Sequence, residues 1–323
     1  MHTRRTLALA AIAITGALTA VTFSQQLPLR QDVEVLTLGP ARVDKVKDGL
    51  YVVRGPFVAC GTRGCRPGGA DDGLIHEAGD VAVRVTPEGL ILVDDKYPEF
   101  VPEVLARIRE ISPLPVKYLL NSHHHGDHVS GNGPIRQMGI DIIGHRNIRE
   151  NFLRIKQAGE PNITFADQGA VHLGGVEVQL HWLGRGHTNG DTVIYFPDLK
   201  TVHTGDLVID GMPVIDYPGG GSAIEFVKTI DNLLKIDFDT MIPGHGKLMT
   251  KEDVRAYRAR VDEMNRRMRE LVRRGVTKDQ LMTLAQARTQ LRLSELGWDN
   301  SVSTTAWFGS IGRYYDEIAA ASN

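Results

Sequence analysis

Residues His123-His124-His125-Gly126-Asp127-His128 crowd four imidazoles and a carboxylate into six positions, in the form His-x-His-x-Asp-His. Imidazole and carboxylate are the donors that suit zinc and similar divalent ions. In an extended segment, positions 123 and 125 project to the same side. A turn at Gly126 can then swing Asp127 and His128 toward a second point nearby. At this composition such a hexad arises by chance in only roughly one chain in a thousand, which sets aside a solvated polar loop. Three later residues extend the set: His187 in Gly186-His187-Thr188-Asn189-Gly190-Asp191, Asp206 in His203-Thr204-Gly205-Asp206, and His245 in Ile242-Pro243-Gly244-His245-Gly246. Each stands beside glycine at the edge of a strand-like segment, where a side chain can reach into a cleft. Any one of the three alone reads as a turn residue.

Alternating strands and helices must position these side chains. Val81, Val83 and Val85 alternate with Ala82 and Arg84, Pro87-Glu88-Gly89 turns the chain, and Leu90-Ile91-Leu92-Val93 is a buried strand ending at Asp94. Pro98 to Glu110 reads as an amphipathic helix, and Val116 to Leu120 as a strand running straight into Asn121-Ser122-His123. Ile140 to Ile143, Val176 to Leu183 and Thr192 to Phe196 continue the pattern, after a polar lead-in over residues 27 to about 48. The layout is α/β, with strands that end in polar loops. From Thr250 the character is helical. Val254, Tyr257, Val261, Met264, Met268 and Leu271 draw one apolar stripe with arginines on the other face, which suits a helix packed on its own domain. Thr277-Lys278-Asp279-Gln280 has the capping-box form and starts another helix, and Ser303 to Ala321 forms the last.

In this order the set resembles the metallo-β-lactamase superfamily, over about residues 49 to 248 and in all five of its motifs: Asp94 after its strand, the hexad, His187, Asp206 and His245. The resemblance implies an αββα sandwich with a metal site at one edge. It implies two divalent ions, Zn2+ by preference, one bound by His123, His125 and His187 and the other by Asp127, His128 and His245. Asp206 would bridge them, and Asp94 would stand behind the ligands and hold their loop. Two such cations lower the pKa of water to about 7, so a shared hydroxide can attack a carbonyl carbon, with Asp127 as the catalytic carboxylate that orients it.

Membership of this kind leaves the substrate open. Thioester hydrolases and lactonases of the superfamily place Asp at the bridging position, where several true β-lactamases place Cys or Ser. Lactonases usually carry Tyr three positions further on; here that residue is Ile209. Glutathione-thioester hydrolases follow the bridging Asp with a basic, glycine-rich segment, whereas Leu207 to Pro213 contains no basic residue. Asp216-Tyr217-Pro218-Gly219-Gly220-Gly221-Ser222 looks like the exported cyclase-like or quinoprotein-associated branch, in which a Gly-Gly-Ser turn leads into a helix, here Ala223 to Leu234. The three glycines read as a mobile rim or a lid. The expected reaction is hydrolysis of an ester, thioester, lactone or β-lactam bond in a small molecule. The alternatives are a mononuclear iron enzyme of the same fold, similar to persulfide dioxygenases, and a β-lactamase proper. Among other polar residues, His124 occupies the variable place of the hexad and reads as solvent-facing, Asp95 as a turn residue, His181 and His203 as structural. His76 and Glu77 could line the cleft.

The 323 residues are 42% hydrophobic and 24% charged, enough for a large core and unlike a disordered chain or a polytopic membrane protein. A formal charge of −2 gives no reason to expect nucleic acid. Residues 1–24 read as an export signal or an N-terminal anchor: Arg4 and Arg5 precede an apolar run from Leu7 to Phe23, and Thr3-Arg4-Arg5-Thr6-Leu7 loosely resembles a twin-arginine signal. The mature chain is therefore expected in the periplasm or outside the cell. There Cys60 and Cys65, in Cys-Gly-Thr-Arg-Gly-Cys, could close a small disulfide loop. The expected organisation is residues 1–24 as leader, 25–249 as the metal-binding domain and 250–323 as a helical extension, acting as monomer or homodimer on a small-molecule substrate, with no membrane contact beyond an anchor.

Overall fold

The structure is a computed structural model that describes residues 36–55, 57–59, 75–298, 307 and 309–321. The expected leader and both cysteines lie outside the described residues. Strand β7 (Gly89–Val93) explains the layering. All of its residues are buried, but to two sides, because successive side chains of a strand point to opposite faces. Leu90 and Leu92 join one core with Val81, Val83 and Leu119, while Ile91 and Val93 join another with Ala82 and Leu120. A strand covered on both faces reads as a continuous apolar run.

β7 is central in a seven-stranded sheet. In spatial order the strands are β10 (Ile163–Phe165), β9 (Asp141–His145), β8 (Val116–Leu120), β7, β6 (Val81–Thr86), β3 (Leu50–Arg54) and β2 (Arg42–Lys47). A six-stranded sheet follows in the order β11 (Gln168–Leu173), β12 (Val176–Trp182), β13 (Thr192–Phe196), β14 (Thr201–His203), β15 (Thr240–Ile242) and β16 (Met249–Thr250). Strands β1 (Leu36–Gly39), β4 (Phe57–Ala59) and β5 (Ile75–Glu77) make a small third sheet. Between the two large sheets, Leu50, Val52, Ile91 and Val93 meet Val178, Leu180, Ile194 and Phe196. On the far side of the first sheet, helix α1 (Val101–Ile111) buries Val101, Val104 and Ile108. On the far side of the second, α5 (Ala223–Leu233), α6 (Lys251–Arg273), α7 (Leu284–Leu291) and α8 (Ile311–Ala320) share a core with Val193, Val202 and Met241. The result is helices, sheet, sheet, helices: the αββα sandwich.

Some boundaries differ from the sequence expectation. Strands β1 and β2 lie within the lead-in read as merely polar; β2 is an edge strand with no fully buried residue, so no apolar alternation marks it. The capping box at Thr277 and Gln280 forms, but it closes only the 3-10 turn Lys278–Leu281. The helix starts later, at a second box made by Thr283 and Gln286. Within the stretch read as the last helix, the described helix is Ile311–Ala320. Helix α4 (Arg146–Ile155) was not expected from the sequence. No helix among the described residues is long and apolar enough to cross a membrane.

Candidate metal centre

Loops from both sheets meet at one edge of the sandwich. β8 delivers Asn121 and Ser122, and His123 follows. His125 is still extended (φ −71°, ψ 144°) and is the N-cap of the short helix α2 (Gly126–Val129), which is followed by α3 (Asn132–Gln137). The change from extended chain to helix at Gly126 is what sends Asp127 and His128 to a different point from His123 and His125. His187 follows β12 on a loop that Asp191 closes, its carboxylate accepting from Thr188 N (3.0 Å) and Thr188 Oγ1 (2.5 Å). Asp206 sits in the 3-10 turn Gly205–Leu207 after β14, and His245 follows β15. Gly244 N donates to Gly205 O at 2.8 Å, tying those two loops together. A Cβ on Gly244 would overlap Asp206 Oδ1, so this close approach requires glycine.

Seven side chains expected as ligands fall into two groups capable of holding an ion: His123, His125, His187 and Asp206 in one, Asp127, His128 and His245 in the other. Within the first, His187 Nε2 is 3.0 Å from His125 Nδ1. Within the second, His245 Nε2 is 3.2 Å from Asp127 Oδ2 and 3.2 Å from His128 Nε2. Asp206 stands between them. Its Oδ2 is 3.8 Å from His187 Nε2 and 4.0 Å from His123 Nε2, while its Oδ1 is 3.2 Å from His128 Nε2 and 3.5 Å from His245 Nε2.

The hydrogen bonds behind the rings fix which nitrogen is bare. His187 Nδ1 donates to Val214 O (2.7 Å), and His125 Nε2 donates to Asp216 Oδ2 (2.9 Å). In the neutral rings this leaves His187 Nε2 and His125 Nδ1 facing each other as lone pairs at 3.0 Å. Ser122 Oγ gives its proton to Asp94 Oδ2 (2.6 Å) and so accepts from His123 Nδ1 (3.0 Å). His123 Nε2 then has no hydrogen-bond partner among the described residues, although the residue is only 1% exposed. Burial, then the neighbouring histidines, push the His123 pKa well below its ordinary value. Burial and His125 likewise lower His187, against the pull of Asp206. Lone pairs converging on one largely enclosed point are unfavourable unless a cation lies among them. On the other side, burial disfavours charge on His128, but Asp206 and Asp127 outweigh it and push its pKa well above the usual value. The carboxylates there demand positive charge, which a divalent ion supplies. The donor set fits two such ions.

Asp94 organises the hexad from behind. Its carboxylate accepts from Ser122 N (2.8 Å), Ser122 Oγ (2.6 Å) and His128 Nδ1 (2.9 Å), and it is fully buried. One expectation is corrected. His124 is not solvent-facing: it is 3% exposed, with Nε2 3.4 Å from Asp216 Oδ2 and Nδ1 accepting from Asn151 Nδ2 at 3.4 Å. Asp95, read as a turn residue, follows β7 outside any strand or helix and is 1% exposed; burial followed by the Asp94 charge pushes its pKa well up. His203, fully buried, has its pKa pushed down to about 4 mainly by burial and serves the backbone, accepting from Gly205 N. His181 is half-buried in β12. The side chains of His76 and Glu77 lie outside the described residues. Sequence reasoning quoted Asp216 only as the start of the glycine-rich segment and gave it no role at the centre.

A family model described as the metallo-beta-lactamase superfamily matches residues 82–245. A hydroxyacylglutathione hydrolase of Pelagibacter ubique is 33% identical over 92 residues, 28% of this chain and 36% of that protein, so the chain spans little more than a third of that relative. A type 2 metallo-beta-lactamase of Elizabethkingia meningoseptica is 21% identical over 202 residues, 60% of this chain and 73% of that protein. Among solved structures, a metallo-beta-lactamase from Pontibacter korlensis superposes with a TM-score of 0.60 at 19% identity, covering 69% of this chain and 99% of its own.

Proposed function

The chain belongs to the metallo-β-lactamase superfamily, and from that membership we propose that it is a dinuclear zinc hydrolase that cleaves an ester, thioester, lactone or β-lactam bond in a small molecule. The observation that carries this reading is the placement of Asp206, with one carboxylate oxygen toward each of two ligand groups. His123, His125 and His187 would hold the first ion, Asp127, His128 and His245 the second, and Asp206 would offer one carboxylate oxygen to each side. Bound there, the two ions supply a hydroxide at neutral pH and polarise the scissile carbonyl. The chain's own part is positional and protonic. Asp127, 4% exposed, would orient that hydroxide through its carboxylate. Asp94 keeps the proton of His128 on Nδ1, so that Nε2 faces the centre.

The segment after Asp206 argues against a glutathione-binding loop of the usual kind. Leu207, Val208, Ile209 and Met212 are all buried, and the first two and Met212 belong to the core under α5 and α6. They fill the interior instead of presenting charge to a substrate. Residues 1–24 would export the chain, 25–249 would form the metal-binding domain and 250–323 the helical extension, with Cys60 and Cys65 bonded in the periplasm.

Metal analysis of the purified protein, followed by a panel of ester, thioester, lactone and lactam substrates, tests the reading. Two zinc ions per chain, one bond type cleaved and activity lost in Asp127→Ala are expected. One iron per chain with oxygen uptake would overturn it in favour of an iron dioxygenase.

A further inference from the structure

The glycine-rich segment Asp216 to Ser222 does not hang at the rim of the centre. Asp216 N donates to His187 O (2.8 Å), Gly221 N to Asp216 O (2.8 Å), Ser222 N to Gly186 O (3.0 Å), and Asn189 N to Gly219 O (2.9 Å). The turn is thereby sewn to the loop that carries His187. A Cβ on Gly219 would overlap Asp216 Oδ2 and stand 2.5 Å from His124 Cε1, so glycine is what lets the turn close over these side chains. Asp216 is held in place to accept from His125 Nε2.

The other side of the same turn is gripped from the far end of the chain. Glu317 of α8 accepts three hydrogen bonds: Oε2 from Tyr217 Oη (2.9 Å) and from Ala223 N (2.9 Å), and Oε1 from Ser222 Oγ (2.5 Å). Ser222 is at the same time the N-cap of α5, accepting from Glu225 N at 3.1 Å. One carboxylate therefore takes hold of the turn at Tyr217, next to Asp216, and again where the turn enters α5. Its charge also suits the N-terminus of that helix. Burial, and then the charge of Glu317, push the Tyr217 phenol up, so it stays a donor.

We propose that Glu317 is a positioning residue of the metal centre, which through Tyr217 and Ser222 holds Asp216 against His125 and so keeps His125 Nδ1 bare and aimed at the first ion; this rests on the metal-binding reading above. A carboxylate behind a ligand histidine fixes its tautomer and orientation, and its loss typically costs 10–100-fold in metal affinity. Once the turn is released, Asp216 can leave His125, whose proton is then free to sit on either nitrogen. The second group, with Asp94 behind it, keeps its own support.

The test is zinc affinity of the full chain by competition with a chromophoric chelator, which resolves the two binding steps, together with the visible spectrum of the cobalt-substituted protein and the melting temperature. Asp216→Asn and Glu317→Ala are expected to weaken one of the two steps by tenfold or more and to leave the other within twofold of wild type, with the cobalt spectrum altered in both. Tyr314→Phe is the structural control: it sits on the same helix and loses only the bond from Tyr314 Oη to Asn265 Oδ1. It should lower the melting temperature and leave both affinities unchanged. If Glu317→Ala does not fold, Tyr217→Phe, which removes one of the three bonds, decides by the same readout. A folded Glu317→Ala or Tyr217→Phe with both affinities at the wild-type value overturns the proposal while leaving the metal reading intact. A wild-type chain that retains no metal overturns the metal reading, and this proposal with it.

Discussion

Asp94 has a left-handed backbone (φ +62°), a conformation that costs energy for any residue with a side chain but that aspartate tolerates better than most. In return its buried carboxylate reaches Ser122 and His128 at once and orients the rings of two candidate ligands, His128 directly and His123 through the hydroxyl of Ser122. Asp94→Ala should therefore weaken zinc binding by about 10–100-fold, read by chelator competition on protein shown to be folded by circular dichroism. Unchanged affinity would mean that packing alone orients His128. The candidate ligands and Asp94 could be picked out because each follows a strand in a short local motif. Asp216 could not: its partner His125 lies 91 residues earlier, and a single acid in a glycine-rich run carries no spacing that points to a ring. His124 escaped for a similar reason, since only its packing against Asn151 and Asp216 shows that the variable place of the hexad is buried.

Elements were legible where burial imposed a period. The stripe from Val254 to Leu271 became the buried face of α6, and β8 and β13 begin and end where their apolar runs do. Helix α4 shows the opposite case. It buries Ile148, Asn151 and Phe152, yet leaves Leu153 57% and Ile155 46% exposed, so its apolar residues do not mark one face. Capping signals were real but not sufficient: Thr277 made its box over a single 3-10 turn. At α6 the box is followed by 23 helical residues, with Thr250 Oγ1 accepting from Asp253 N (3.2 Å) and the Asp253 carboxylate accepting from Thr250 N (2.8 Å). Thr250→Ala should cost about 1 kcal/mol, measured as a lower denaturant midpoint at unchanged slope. Zinc affinity should stay at the wild-type value, because this cap touches none of the ligand loops.

At the scale of the whole molecule, the change of character at Thr250 is a change of element type and not of core. Tyr257, Met264, Met268, Trp307 and Tyr314, all beyond that point, lie in the same buried cluster as Val193, Val202 and Met241 of the second sheet and Phe226, Ile230 and Leu233 of α5. Fully burying a large apolar side chain contributes roughly 1.5–3 kcal/mol, against a total stability of about 5–15 kcal/mol for a typical domain. Losing even these five is of the same size as everything that holds the sandwich together, and it would leave the outer face of the second sheet and one side of α5 open to water. A chain ending at residue 249 should therefore keep every expected metal ligand and still fail to fold on its own. The expected signs are no cooperative denaturant transition, binding of a hydrophobic dye and no tight zinc step. Adding residues 250–323 as a separate polypeptide should restore the transition if the two parts find each other. A truncated chain that unfolds cooperatively at the wild-type midpoint would show instead that the helices merely decorate a finished domain.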